Sequence, residues 1–148
     1  MNDFTMMTKK GFTMIELMLI VGILVIIFSM GAPITFEFYQ NYQLQSEENK
    51  FISFLETARN ASMTNLNQLP HGVYRDDDNY IIFEGNSFAA RNQIQDQNFP
   101  RAKTISVSGP SEIIFDSLSG QTVSSVFVFN NGIKSFNVYV NQEGQINW

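Results

Sequence analysis

The feature that most constrains this chain is an almost unbroken apolar run from Leu17 to Ile34. Counted from Phe12, the segment 12–34 holds 23 residues. As a helix rising about 1.5 Å per residue, a segment of this length is sufficient to cross a bilayer. Lys9 and Lys10 precede it, and positive charge is retained on the cytoplasmic side when an apolar segment inserts. The pattern predicts a single-pass membrane protein with a cytoplasmic N-terminus.

One carboxylate, Glu16, interrupts the start of this apolar segment. An acidic side chain in an apolar helix costs about 3 kcal/mol or less to insert into a membrane, and by default it marks a functional site that has a partner. Gly11 lies shortly before it and gives an extended, unobstructed backbone that a protease can bind. The sequence therefore predicts a functional carboxylate next to a possible cleavage site.

The string Gly-Phe-Thr-Met-Ile-Glu-Leu, from Gly11 to Leu17, resembles the class III signal of type IV pilins and type II secretion pseudopilins. The resemblance implies that prepilin peptidase cuts between Gly11 and Phe12 and that Phe12 is then N-methylated. It also implies that Glu16 guides assembly by forming a salt bridge with another subunit. The likeness extends to Pro33, where the family often bends its helix.

On this resemblance, residues 1–11 form a leader peptide whose positive charge is supplied by Lys9 and Lys10. Residues 12–34 are then the transmembrane and assembly half of a helix. The implied location is the bacterial inner membrane, with an extracytoplasmic head, and a filament after assembly. The implied partners are prepilin peptidase, other pilin or pseudopilin subunits and the inner membrane.

Two other interpretations of the same segment stay open. Leu17 to Phe28 is an apolar run behind two lysines, and Ser29 to Ala32 offers small residues to an ordinary signal peptidase. The chain would then be a secreted or membrane-anchored small β-rich binding module with no filament role. A plain single-pass anchor is the third possibility. Glu16 argues against an ordinary signal peptide, because such a peptide prefers apolar residues at that position.

Helical periodicity continues beyond the apolar run and predicts one helix from about Phe12 to Asn65, ended by Pro70. Its second half, residues 35–66, is amphipathic, with Glu47 and Glu48 expected on the solvated face. The apolar and small residues recur at steps of three and four and comprise Phe51, Phe54, Leu55, Ala58, Ala61 and Ser62.

After Pro70 the apolar period changes to two, which predicts a β-rich head over residues 67–148. Gly72–Tyr74 and Tyr80–Phe83 are expected to form a hairpin, and 86–101 an irregular connection. Further strands are predicted at 104–108, 112–116, 123–129, 133–140 and 145–148, with Asn130-Asn131-Gly132 as a hairpin turn.

The predicted fold class is therefore α+β: a long N-terminal helix, with a membrane-spanning inner half, packed against an antiparallel β-sheet head. The order of strands and turns is similar to the GspH/FimT group of minor pseudopilins and minor pilins. This second likeness rests on patterns such as Tyr80-Ile81-Ile82-Phe83 and is less specific than the leader. It favours a minor subunit of a type II secretion system or a type IV pilus.

The residues needed for catalysis are missing from the sequence, so we expect no enzyme and no cofactor. There is no cysteine, which excludes disulfides, thiolate metal sites and thiol catalysis. His71 is the only histidine, so no triad or histidine-rich metal site can be built, and we expect it in a surface loop. Glu112 and Asp116 share a strand face, but about 13 Å separates them, too far for a glycosidase pair.

Neither a calcium ion nor a nucleic acid is an expected ligand. Asp76, Asp77 and Asp78 are weak candidates for calcium ligands, but their spacing fits no EF-hand loop, and a solvated turn is the favoured interpretation. The chain has 14 acidic and 9 basic residues, and removal of residues 1–11 leaves 13 acidic and 7 basic, a formal charge of −6. Because such a surface repels phosphate backbones, and only Arg101 and Lys103 lie close together, no nucleic-acid partner is expected.

Overall fold

The structure is a computed structural model that describes residues 11–148, with the backbone alone described for residues 30–35. The predicted leader charges, Lys9 and Lys10, lie outside the described residues. The chain divides into two compact units, with the division between Phe38 and Tyr39. Its class is α+β with antiparallel sheets, which confirms the predicted fold class at that level.

One helix, α1, runs from Met14 to Met63 and contains 50 residues, compared with the predicted 12–65. Helical backbone continues through Pro33, whose side chain lies within the undescribed stretch 30–35, so the predicted bend stays a prediction. The helix ends before Pro70 is reached. Asn65 adopts the left-handed conformation with φ of 55°, a conformation that Asn tolerates and that commonly follows the last helical turn.

The second unit contains two four-stranded antiparallel sheets. The first has the strand order β3-β2-β1-β5, and its strands are β1 (His71–Arg75), β2 (Asn79–Glu84), β3 (Gln97–Pro100) and β5 (Glu112–Phe115). The second has the order β4-β6-β7-β8, and its strands are β4 (Ser106–Ser108), β6 (Ser125–Asn130), β7 (Ser135–Val140) and β8 (Ile146–Asn147).

The strand predictions are confirmed with two differences. The β1–β2 hairpin and the β6–β7 hairpin form where the sequence predicts them. The expected irregular connection 86–101 instead holds two short 3₁₀ turns, Phe88–Ala90 and Gln93–Gln95, and the edge strand β3. The sequence does not predict β3, because this segment is rich in Asn and Gln and because β3 pairs only with β2, at the edge of the sheet. The strands also divide into two sheets where one was expected.

The core of the second unit lies where α1 contacts both sheets. The ring of Phe51 lies 5.2 Å from the ring of Tyr80 on β2, and 4.7 Å from the ring of Phe127 on β6. Leu44, Leu55 and Ala58 are fully buried beside Phe51. The predicted amphipathic stripe is thus the surface of α1 that the sheets cover, and aromatic packing of this kind supplies much of the burial energy.

Two glutamates on α1 contradict their prediction. Glu47 and Glu48 were expected to be solvated, yet they are 2% and 6% exposed. Glu47 is compensated, because its Oε1 accepts a hydrogen bond from the Ala102 amide at 3.0 Å and its Oε2 pairs with Lys50 at 3.1 Å. The prediction failed because the segment after β3 covers a second face of the helix, which helical periodicity cannot anticipate. Burial raises the pKa of Glu48.

The predicted location is also corrected. Among the residues that the structure describes, no helix has the length and apolar character needed to cross a membrane, about 20 consecutive apolar residues. This finding contradicts the prediction of a single-pass inner-membrane protein with a membrane-spanning inner half of its helix.

Candidate functional site

The N-terminal end of α1 is fixed by a reciprocal pair of hydrogen bonds between Thr13 and Glu16. The Glu16 amide donates to Thr13 Oγ1 at 3.3 Å, and the Thr13 amide donates to Glu16 Oε2 at 3.5 Å. This is a capping box, in which a Thr before the first helical residue and a Glu three positions later satisfy each other's free amide groups. The spacing of Thr13 and Glu16, Thr-x-x-Glu, is the local sequence signal for this helix cap.

The capping box places the Gly11–Phe12 peptide bond outside the helix, which begins at Met14. A side chain at Gly11 would meet no atom within 4 Å, and Phe12 is 76% exposed. The residues on both sides of the predicted cleavage site are therefore exposed and lie outside the helix. Glu16 lies one helical turn away from it, and its carboxylate is directed back toward the helix start by its bond to Thr13.

The segment that follows exposes apolar side chains in every direction around the helix axis. Exposure of its large apolar residues runs from 44% at Ile20 to 83% at Met14. The exposed set comprises Met14, Ile15, Leu17, Met18, Leu19, Ile20, Val21, Ile23, Leu24, Val25, Ile26, Ile27 and Phe28. A helix that is apolar all round belongs in a buried environment, because each such side chain that leaves water contributes about 1.5–3 kcal/mol.

The three aspartates of the β1–β2 turn have separate structural roles. Asp76 Oδ1 accepts from the Asp78 amide at 2.8 Å and from the Asn79 amide, which closes the turn. Asp78 pairs with Lys103 at 2.7 Å, and the hydrogen bond from Lys103 lowers the pKa of Asp78. Asp77 is exposed. Within residues 11–148, no group of three or more His, Asp or Glu side chains is placed to hold a metal ion.

His71 contradicts its prediction as a surface-loop residue. It begins β1 and is 5% exposed. Its amide donates to Ser62 Oγ at 2.8 Å, and Ser62 Oγ in turn donates to the Phe115 carbonyl at 2.8 Å. His71 is buried because Ser62 of α1 and the adjacent strand β5 both lie against it, a packing that the local sequence pattern does not show.

A buried polar network surrounds the His71 ring. Nε2 lies 3.9 Å from Oε2 of Glu84, and Nδ1 has no hydrogen-bond partner among the described residues. Glu84 accepts from Asn67 Nδ2 at 2.6 Å and from Asn92 Nδ2 at 2.8 Å. Burial lowers the pKa of His71, and the neighbouring Glu84 carboxylate offsets only part of this effect. The amide donors Asn67 and Asn92 lower the pKa of Glu84. Sequence reasoning missed this network entirely.

The surface also holds an open groove of about 550 Å³ between the β5–β6 connection and the β7–β8 turn. Its polar lining includes Asp116, Gln121, Gln142 and Glu143. Asp116 and Glu143 both line this groove. Glu112 does not line it, and its carboxylate accepts a hydrogen bond from the Phe88 amide at 2.9 Å. The described residues that line the groove include no histidine.

Comparison of the chain with protein-family models, with curated proteins and with solved structures gave no match.

Proposed function

We propose that this protein is a structural subunit of a type IV filament machine, a minor pseudopilin or minor pilin. Prepilin peptidase cuts it after Gly11, and the new N-terminal Phe12 is N-methylated. The GFTMIEL string at Gly11–Leu17 supports the proposal, together with a helix that leads into an antiparallel β head in the manner of a pilin.

The observation that carries the proposal is the all-round exposure of the apolar segment between Met14 and Phe28. Such a surface needs an apolar environment, and the same segments of neighbouring subunits supply one. Packing of these helices side by side forms a filament core with the β heads on the outside. Gly22 has open space around it and permits a close approach by a neighbouring helix.

Glu16 has a second role in this mechanism. In the uncut chain its carboxylate accepts a long, 3.5 Å hydrogen bond from Thr13. Cleavage creates an α-ammonium group at Phe12, and a charged donor binds a carboxylate more strongly than a neutral amide does. When apolar helices surround the site, pairing of Glu16 with a neighbour's Phe12 ammonium is favoured over two isolated charges.

The first test is the intact mass and N-terminal sequence of the protein from its native source. A chain that begins at Phe12 and is heavier by one methyl group is the expected result. A chain that begins near Ala32 would indicate an ordinary signal peptide and a secreted binding module. An uncut leader would contradict the filament proposal.

The second test concerns the carboxylate. We expect Glu16→Ala to be cut normally but to be lost from filaments. Glu37→Ala, which removes an exposed carboxylate from the same helix, is the matched control and is expected to assemble normally. Normal incorporation of Glu16→Ala into filaments would contradict the proposed role of Glu16. Abundance relative to other filament subunits then separates a minor from a major subunit.

A further inference from the structure

The turn between β6 and β7 contains Asn131-Gly132, the only Asn-Gly pair in the sequence. Gly132 is exposed and has a φ of 87°, a left-handed conformation that favours glycine. Because glycine has no side chain, nothing on it hinders the approach of its backbone nitrogen to the side-chain amide of the preceding asparagine. This approach is the first step of asparagine deamidation. The glycine that the turn requires therefore also creates a reactive site.

Hydrogen bonds hold the side chain of Asn131 in the closed turn. Its Oδ1 accepts from the amide of Ile133 at 2.9 Å and from the amide of Lys134 at 2.7 Å. Its Nδ2 donates to the main-chain carbonyl of Gln40 on α1 at 3.2 Å. The half-buried side chain of Asn131 therefore closes the turn and also ties the turn to α1.

The second reacting group, the backbone amide of Gly132, is also engaged, because it donates to Oδ1 of Asn130. Attack by this nitrogen requires rotation of the Asn131 side chain, which breaks the bond to Gln40. Asn130 and Gly132 on either side of Asn131 are exposed, and exposed turns open locally at a small cost in free energy. Reaction at Asn131 therefore needs a local opening of the turn, and the closed turn slows it.

The bond to Gln40 lies where α1 first becomes covered by the rest of the second unit. Tyr39 is 57% exposed, Gln40 is half-buried and Leu44 is fully buried. The Nδ2 atom of Asn131 thus holds the β6–β7 turn at the edge of the contact between α1 and the sheets. A chemical change that removes this donor acts on that contact directly.

We propose that Asn131 is a site of spontaneous deamidation and that the reaction releases the β6–β7 turn from α1. The Gly132 nitrogen forms a bond to Cγ of Asn131, and its proton passes through water to Nδ2, which leaves as ammonia. Water then opens the five-membered imide. Cleavage of the new bond gives aspartate, and cleavage of the original peptide bond gives isoaspartate, with the main chain rerouted through the side-chain carbons.

Both products lack the donor that binds Gln40. An ionised carboxylate only accepts hydrogen bonds, so it leaves the Gln40 carbonyl without this partner and repels its oxygen. Isoaspartate also adds one carbon to the main chain between β6 and β7, which disturbs the pairing of Asn130 with Ser135. The change is irreversible without a repair reaction. The proposal goes beyond the filament function and does not depend on it, because every residue involved lies in the second unit.

Mass spectrometry of peptides from the full chain tests the reaction. The protein is kept in mild detergent and mildly alkaline buffer, and samples are taken over time, folded and in urea. Deamidation at Asn131 is expected in the folded chain, ahead of Asn86, which precedes Ser87 instead of glycine, and it is expected to be faster in urea. No product at Asn131 in the folded chain would overturn the proposal, and so would equal rates with and without urea.

Two variants test the role of the hydrogen bonds. Asn130→Ala removes the acceptor of the Gly132 amide and is expected to raise the rate about two- to tenfold, as the loss of one hydrogen bond implies. Asn131→Gln is the control, because its longer side chain does not form the five-membered ring readily, and it is expected to give no product. An unchanged rate in Asn130→Ala would contradict control of the reaction by the closed turn.

The release from α1 is tested by urea titration of Asn131→Asp. This variant is expected to unfold at a lower urea concentration than the wild type, because it lacks the donor to Gln40. Asn98→Asp, which adds the same charge at an exposed position of the edge strand β3, is the matched control and is expected to have little effect. Equal midpoints for Asn131→Asp and Asn98→Asp would overturn the release. Neither measurement needs filament assembly, so failure of the filament proposal would leave both results unchanged.

Discussion

The Nε2 atom of His71 lies 3.9 Å from Oε2 of Glu84, and both side chains are buried at the start of β1 and the end of β2. Burial lowers the pKa of His71, and hydrogen bonds from Asn67 and Asn92 lower the pKa of Glu84. Both groups therefore bind protons less readily in the folded state than in the unfolded state. Lowering the pH must therefore reduce the free energy of unfolding through both groups.

The two groups act in different pH ranges. The stability that neutral His71 contributes is complete above its ordinary pKa of 6.5, and it is lost as the pH falls below that value toward the lowered pKa of the folded state. The contribution of Glu84 is complete above 4.5 and is lost only at lower pH. Glu48 has the opposite sign, because its raised pKa adds stability as the pH falls through that pKa.

We expect the melting temperature to fall as the pH is lowered from 7.5 to 5.5, measured by circular dichroism at constant ionic strength. His71→Gln is expected to remove this slope, since His71 is the only histidine. A wild-type melting temperature that is flat over this range would contradict the assignment, and so would an unchanged slope in His71→Gln.

Thr13→Ala is expected to destabilise the first turn of α1 by about 1 kcal/mol, because it removes the oxygen that caps the Glu16 amide. Faster hydrogen exchange of the Glu16 and Leu17 amides is the measurement. Thr13→Ser keeps the capping oxygen and serves as the control. Equal exchange rates in Thr13→Ala and the wild type would show that the capping box does not hold the helix start.

Ser62→Ala is expected to lower the free energy of unfolding by about 1–3 kcal/mol, since the buried His71 amide would lose its acceptor. Urea titration measures the change. Ser53→Ala, at an exposed position of the same helix, is expected to have little effect. Equal effects of the two substitutions would mean that the Ser62 bridge contributes no stability of its own.

Phe51→Ala is expected to cost about 3–5 kcal/mol, because its ring fills the space between α1 and both sheets. Phe51→Leu keeps most of the volume and is expected to cost less. The two variants are compared by urea titration, and similar losses would show that volume at this position does not limit stability. Phe38→Ala, which truncates an exposed ring on α1, controls for loss of aromatic surface.

Much of the secondary structure could be predicted from local patterns. The three- and four-residue recurrence of Phe51, Leu55 and Ala58 identified the covered face of α1, and the two-residue alternation identified β1, β2 and the later strands. The turn at Asn130-Asn131-Gly132 followed from local chemistry, because Gly132 supplies a positive φ of 87°. Each of these signals depends on residues adjacent in the chain.

Among the candidate site residues, some were predicted from local sequence and others were found only in the structure. Gly11, Phe12 and Glu16 were identified from one short string, and the structure adds that Glu16 caps its own helix through Thr13. The predicted membrane-spanning role was wrong. The locally predicted β1–β2 hairpin places His71 opposite Glu84. Local patterns do not show that both side chains are buried or that Asn67 and Asn92 donate hydrogen bonds to Glu84.

The sequence by itself determined the α+β class, the extent of the helical and β regions and the string at Gly11–Leu17 that motivates the proposed function. Only the tertiary structure decided that Glu47 and His71 are buried, that β3 forms, and that the strands separate into two sheets. The physical reason is that periodicity shows which face of an element is apolar, whereas burial of a polar residue depends on which distant segment covers it and supplies its hydrogen bonds.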